Sequence, residues 1–217
     1  KLLQNSELRI KICILLMASG GMRLGALPFI KLRHLEKLDN VYKIIVYEGM
    51  NEEYFTFVTP ECSALIDEYI KHRGLIGEKV TQEAHLIREH FDEYSPKKAR
   101  GISKHTIRHL FYKILLKCDI DANVSMTHGF RKFFTTQCIE SDVNPEAREM
   151  LLGHKIGLTG VFYKPTQKQM LLQYEKAINK LTINEENRLR QKVKMLTIDE
   201  SRIDRIERAI QRLEKTI

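Results

Sequence analysis

The spacing of apolar residues changes character several times along the chain, and each change predicts an element. Leu8 to Met17 is apolar on nearly every side, the pattern of a buried helix, and the Ser19-Gly20-Gly21 run predicts where it breaks. Pro28 disfavours a long helix after it, and short apolar or alternating segments predict strands at Phe29–Leu32, Val41–Tyr47 and Tyr54–Val58. The last two flank Glu48-Gly49-Met50-Asn51-Glu52, a hairpin turn by composition. Thr59-Pro60 supplies an N-cap and a first-turn proline to a helix carrying Cys62, Leu65, Ile66, Tyr69 and Ile70. Residues 73–102 are punctuated by Gly74, Gly77, Pro96 and Gly101, which predicts a long connection with a short helix around Ala84–His90.

Helical periodicity dominates from Ser103 onward. Ser103 caps a helix bearing Ile107, Leu110, Phe111, Ile114 and Leu115, and Thr127 caps a second that turns Phe130, Phe133, Phe134 and Cys138 inward. Asn144-Pro145-Glu146 opens a third helix that stops at Gly153, and Gln167–Ile178 is a fourth. The fold class predicted is mainly α with a small three-stranded antiparallel sheet. From about Thr182 the chain becomes highly charged with both signs mixed, so the domain reading is 1–182 for the body and 183–217 for a helical tail. Asn184–Leu196 and Ser201–Ile217 each read as helix. In the second, Ile203, Ile206, Ile210, Leu213 and Ile217 follow a 3-4-3-4 spacing, an a/d seam too short to stand alone.

Composition narrows the class of partner. The 217 residues carry 36 Lys and Arg against 28 Asp and Glu, a net charge of +8 that favours a polyanion, nucleic acid first and an acidic membrane surface second. The longest apolar stretch, near Ile12–Met17, is far too short to cross a bilayer, so no membrane insertion is expected. Cys13, Cys62, Cys118 and Cys138 are widely spaced, with no CxxC pair to bind zinc; they suit a reduced, cytoplasmic protein. A chain that opens on Lys1 reads as a fragment or processed piece, and no signal peptide is visible.

Four places hold polar groups in apolar surroundings: Arg23 after the glycine break, His128 and Arg131 in Thr-His-Gly-Phe-Arg-Lys, His154 in Leu-Leu-Gly-His, and Tyr163 in Val-Phe-Tyr-Lys-Pro. His128 and Arg131 are three apart on one helix and share a face near its N-terminus, where unpaired N–H groups favour an anion. Tyr163 follows His154 by nine residues. Alone, His128 reads as a cap or surface residue, His154 as a helix C-cap and Tyr163 as core packing. The ordered set points to chemistry on an anion. Among surface cations, Lys97, Lys98 and Arg100 in a basic run, and Lys104, Arg108 and Lys132 on helices, are candidate phosphate contacts, or simply solvated.

This set, His-x-x-Arg, then Leu-Gly-His, then Tyr, with an upstream Gly-x-Arg, resembles the catalytic domain of the tyrosine recombinases, the phage integrase family. The wording His-Gly-Phe-Arg-Lys-Phe-Phe and Tyr-Lys-Pro-Thr is most similar to its archaeal integrase-like members, and the resemblance covers about residues 8–182. It implies a site-specific DNA recombinase that cuts and rejoins double-stranded DNA at attachment sites with neither metal nor nucleotide cofactor. Tyr163 would attack the backbone phosphorus to give a 3′-phosphotyrosine and a free 5′-hydroxyl. Arg23 and Arg131 would grip the non-bridging oxygens, and His128 and His154 would donate hydrogen bonds or handle protons. Such chemistry suits these residue types, because two guanidinium forks match phosphate oxygens and favour the charge that develops on them.

The chain departs from the family pattern in two places. Arg23-Leu24-Gly25-Ala26 lacks the glutamate often found three residues after the arginine. The hairpin turn lacks the lysine that usually protonates the leaving 5′-oxygen; Lys43, at the start of a strand, is the nearest candidate, with a loop lysine as the other. Two further classes stay open: a DNA-binding relative weakened in cutting, and a type IB topoisomerase-like enzyme that relaxes DNA. Tyr174, on the following helix, competes with Tyr163 for the role of nucleophile. Recombination of this kind also implies self-association, to a dimer or a DNA-bound tetramer, for which the tail is the candidate. A cytoplasmic location, nucleoid-associated in a prokaryote, follows from the same reading. The separate N-terminal clamp domain of the family is not expected in this chain, which predicts weak, salt-sensitive binding in isolation.

Overall fold

Helix α1 (Leu8–Gly20) is the centre of the first of two units, Lys1–Leu181 and Thr182–Ile217, in the computed structural model, which describes residues 1–90, 100–121, 126–157 and 162–214. Ten of the thirteen residues of α1 are buried, so the helix has no polar face and is covered on several sides. It packs against α2 (Pro60–Leu75), α4 (Met126–Ile139) and the third strand. Gly21 ends it in the left-handed conformation at φ 63°, and a Cβ there would stand 2.8 Å from the Phe134 ring. Both the turn and the close approach of α4 require glycine.

Three antiparallel strands, β1 (Leu35–Leu38), β2 (Val41–Val46) and β3 (Tyr54–Val58), lie in the order β1-β2-β3, with Lys43 opposite Glu36 on one side and Phe57 on the other. The mainly α class with a three-stranded sheet is as expected. The first strand is not where the pattern placed it. Leu24–Phe29 and Leu32–His34 are 3-10 turns, and the stretch between them pairs instead with the distant connection. Leu86 N–H donates to the Ile30 carbonyl at 2.8 Å and Leu32 N–H to that of Ala84 at 2.9 Å, around a bridge between Lys31 and His85. The helix expected around Ala84–His90 is therefore absent; its backbone groups are spent on extended partners. A second bridge joins Arg88 to Gly101.

Further helices described in this unit are α3 (Lys104–Lys117), α5 (Pro145–Leu151) and α6 (Gln167–Leu181). Ser103 accepts a cap bond from Thr106 N–H at 3.0 Å and Asn144 one from Ala147 N–H at 3.0 Å, as the sequence signals predicted. Thr127 is a correction: it lies inside α4, one residue past its start at Met126. Phe57, Phe134, Cys138, Leu151 and Tyr174 meet in one buried cluster between sheet and helices. All four cysteines are buried and free, and burial pushes the thiols of Cys13 and Cys138 up to about 12.

The second unit is one continuous helix, α7 (Glu185–Glu214), rather than the two expected. Residues 197–200 contain neither glycine nor proline to interrupt it, and the Thr197 hydroxyl donates back to the Val193 carbonyl at 3.0 Å. Asn184 caps its start, accepting from Asn187 N–H at 3.1 Å. Leu189, Val193, Leu196, Ile203 and Ile206 are exposed along it, while the side chains of Ile210 and Leu213 and all of Ile217 lie outside the described residues.

Candidate active site

Arg131 ties three elements together from the second turn of α4. Its Nη1 donates to the Gly21 carbonyl at 2.6 Å, at the end of α1, and its Nη2 donates to the Leu152 carbonyl, at the end of α5. The same Nη2 lies 2.8 Å from His154 Nε2. Arginine has no acceptor, so Nε2 must accept and the imidazole proton must sit on Nδ1, which faces Glu149 Oε2 at 2.6 Å. His154 is thus held between a guanidinium and a carboxylate. Burial raises the Glu149 carboxyl, but the hydrogen bonds from His154 and Arg148 outweigh it and leave it below the usual carboxylate range.

The Leu-Leu-Gly-His segment explains the placement of His154. Gly153 takes φ 66°, its N–H donates to the Met150 carbonyl at 2.9 Å, and His154 N–H donates to the Glu149 carbonyl at 2.9 Å. That pair of bonds is a Schellman close to α5, which swings the residue after the glycine back over the helix end. The Tyr54 ring fills the space beside the glycine, 2.5 Å from where a Cβ would be.

Arg23 follows the glycine break in extended conformation and is exposed. Its charge reaches Arg131: burial first, and the like charge of Arg23 next, pull the Arg131 pKa below its ordinary value. Two phenols share that field. Tyr47, at φ 59° where β2 enters the hairpin, and Tyr54, at the start of β3, are both raised by burial against the lowering charges of Arg23 and Arg131. The Tyr54 hydroxyl is sealed from solvent beside Arg131, short of good hydrogen-bond geometry to any described partner.

An open cleft of about 530 Å³ adjoins this cluster, lined among others by Lys43, Tyr54, His154, Tyr163 and Met170. Tyr163 is half-buried in it. His128, which is exposed, lines a neighbouring cleft with Arg131 and Lys132, so Arg131 stands at the wall of one and bonds to a residue of the other. Tyr174, the competing phenol, is fully buried, and its hydroxyl donates to the Ser19 carbonyl at 2.9 Å. It is a core residue without access to a substrate.

Lys43 does not project freely into the cleft. Its Nζ donates to Glu36 Oε2 at 2.8 Å and to Gln167 Oε1 at 2.6 Å. Lys104 opens α3 beside the Arg23 loop: a Cβ on Gly25 would stand 4.0 Å from its Nζ and 3.8 Å from the Tyr47 hydroxyl. Arg100 and Arg108 are exposed and line neither cleft; Lys97 and Lys98 lie outside the described residues. Among the described residues no three His, Cys, Asp or Glu side chains gather as metal ligands. Sequence reasoning missed Tyr47, Tyr54 and Glu149. For Glu149 a signal existed, since His154 follows it at i+5 across a helix-ending glycine; for the two tyrosines only the folded hairpin supplies one.

The sequence profile of the phage integrase family matches residues 1–170. The chain belongs to the phage integrase family. Among solved structures of this fold, the XerA recombinase is similar at 17% identity and a TM-score of 0.57, over 81% of this chain and 61% of that one. The XerH site-specific recombinase, in a post-cleavage complex with palindromic difH substrate, is similar at 16% identity and a TM-score of 0.56, over 80% and 48%. The integrase from mycobacterium phage Brujita is similar at 14% and 0.57, over 85% and 57%. This integrase-family chain therefore spans less than two thirds of each of these three structures. No curated protein matches it.

Proposed function

We infer that this chain is the DNA-cutting portion of a site-specific tyrosine recombinase, working on double-stranded attachment sites. The observation that carries the reading is that Arg131, its pKa lowered by burial and by the like charge of Arg23, bonds to His154 on the wall of the cleft that holds Tyr163. Two guanidiniums brought together against their own repulsion suit a phosphodiester, whose non-bridging oxygens relieve it. Tyr163 Oη forms a bond to phosphorus as the bond to the 5′-oxygen breaks. The phenol loses its proton, the departing oxygen gains one, and the phosphotyrosyl link keeps the energy needed for rejoining. Arg23 and Arg131 hold the charge that develops on phosphorus. His154, anchored by Glu149, keeps the Arg131 fork in register, and His128 borders the same guanidinium from the neighbouring cleft.

Exposed Arg100, Lys104, Arg108 and Lys132 supply phosphate contacts outside the cleavage centre. Helix α7, about 45 Å long, is the self-association element for a dimer or a DNA-bound tetramer, with its exposed apolar residues paired between copies. Acting on DNA, the protein would work in the cytoplasm; separately, no described helix is long and apolar enough to cross a membrane. A second reading, a DNA-binding relative weakened in cutting, is favoured by one observation: the turn from Tyr47 to Glu53 carries no lysine, and Lys43 is engaged elsewhere.

The test is covalent capture. The wild type is incubated with a random-sequence pool of nicked duplexes, and complexes that survive denaturation are recovered. Tyr163→Phe is expected to abolish the covalent product while leaving DNA retention nearly unchanged. No covalent product from the wild type, with DNA still retained, would replace the recombinase reading by the binding one.

A further inference from the structure

The segment bearing Tyr163 enters α6 four residues later, at Gln167, and Gln167 belongs to a closed ring of hydrogen bonds. Lys43 Nζ donates to Glu36 Oε2 at 2.8 Å and to Gln167 Oε1 at 2.6 Å, and Gln167 Nε2 donates to Glu36 Oε1 at 3.1 Å. Glu36 and Lys43 are cross-strand partners on β1 and β2. The ammonium is largely shielded, at 15% side-chain exposure, and lies 5.2 Å from the centre of the Phe55 ring.

The link from this ring to Tyr163 is short and stiff. Thr166 caps α6, its Oγ1 accepting from Gln169 N–H at 3.3 Å while its own N–H donates to Gln169 Oε1 at 2.8 Å. Pro165 fixes its own φ and restricts Lys164 to extended backbone. A constraint on Gln167 therefore passes to Tyr163 through three residues with little freedom.

We propose that Lys43 is a positioning residue: with Glu36 and Gln167 it clamps the C-terminal end of the Tyr163 segment to the sheet, and it is not the group that protonates the leaving oxygen. This rests on the recombinase reading. Giving up a proton would strip Glu36 of its partner and Gln167 of a donor, so the ring opposes the very transfer a general acid must make. The Glu36 carboxyl, held below the usual range first by the hydrogen bond from Lys43 and then by that from Gln167, is consistent with a ring that stays charged.

The substitutions are Lys43→Met, Lys43→Arg and Gln167→Met in the full chain. The substrate is the duplex best captured by the wild type from the random pool, made with oxygen or with sulfur at the 5′-bridging position. A thiolate leaves without a proton, so sulfur rescues the loss of a general acid and not the loss of alignment. Misplacement of a reacting group costs up to about a hundredfold. Lys43→Met and Gln167→Met are therefore expected to slow cleavage by similar factors, between about tenfold and a hundredfold, on both substrates. The double variant is expected to be no slower than the worse single one, and Lys43→Arg to restore most of the rate. A Lys43→Met defect erased by sulfur, with Gln167→Met near wild type, overturns the clamp and makes Lys43 the acid.

Amide hydrogen exchange keeps the test independent of cleavage. In both methionine variants, exchange in residues 162–170 is expected to accelerate while α1 stays protected as in the wild type. Unchanged exchange there overturns the clamp even if the wild type captures no DNA, an outcome that by itself counts only against the recombinase reading.

Discussion

Replacing Arg131 by lysine separates what its charge does from what its shape does. The charge survives in Arg131→Lys, but the fork is lost. In the wild type the fork reaches the carbonyls of Gly21 and Leu152, at the ends of two different helices, and His154 Nε2 as well. One ammonium nitrogen on a shorter chain cannot serve all three. At least one half-buried carbonyl then lacks its donor, a cost of about 1–3 kcal/mol. For a unit of this size each kcal/mol lowers Tm by about 2–4 °C, so urea and thermal unfolding should both register the change. Loss of a preorganised donor at the phosphate costs about 10²–10³ in rate. Covalent complex formation, followed well below Tm, is thus expected to fall by at least a hundredfold, nearly as far as in Arg131→Ala. Arg23→Lys is the control: Arg23 is exposed, so its variant should lose rate with little loss of stability. Wild-type stability in Arg131→Lys, or a rate within a few-fold of wild type, would refute the account of Arg131 as both brace and phosphate fork.

Gly153→Ala should destabilise by about 2–4 kcal/mol in urea unfolding, because alanine must adopt φ 66° and displace the Tyr54 ring. Glu78, buried between Arg73 (2.5 Å) and Arg88 (2.7 Å), is raised by burial but lowered further by those two partners, so its net pKa is depressed. Its contribution to stability is then complete above the ordinary glutamate value of 4.5 and is lost as pH falls through the lower folded value. Acid titration of stability should show that loss in the wild type and not in Glu78→Gln, which instead starts about 3–5 kcal/mol less stable at neutral pH. A chain truncated after Leu196 should still form the covalent complex but lose self-association, measured by sedimentation at matched concentration; equal monomeric profiles for both chains would remove the assembly role from α7.

Local chemistry settled much of this protein from the sequence outward. Glycine at 21 and 153, the caps at Thr59, Ser103 and Asn144, and the unbroken apolar run of α1 act within one or two turns, so their consequences are legible without a fold. The order of Arg23, His128, Arg131, His154 and Tyr163 likewise sufficed to name the candidate residues. What the sequence could not decide were the pairings between distant segments. Phe29–Leu32 has the composition of a strand, but its partner is Ala84–Leu86 and not the sheet, so one long-range pairing displaced both an expected strand and an expected helix. That Tyr174, the competing phenol, is a core residue is also a tertiary fact, made by burial against Phe57 and a bond to Ser19. Tyr47, Tyr54 and Glu149 join the site for the same reason. Their neighbours in space lie far along the chain or across a helix end, and hydrophobic periodicity carries no record of which polar groups such packing brings face to face.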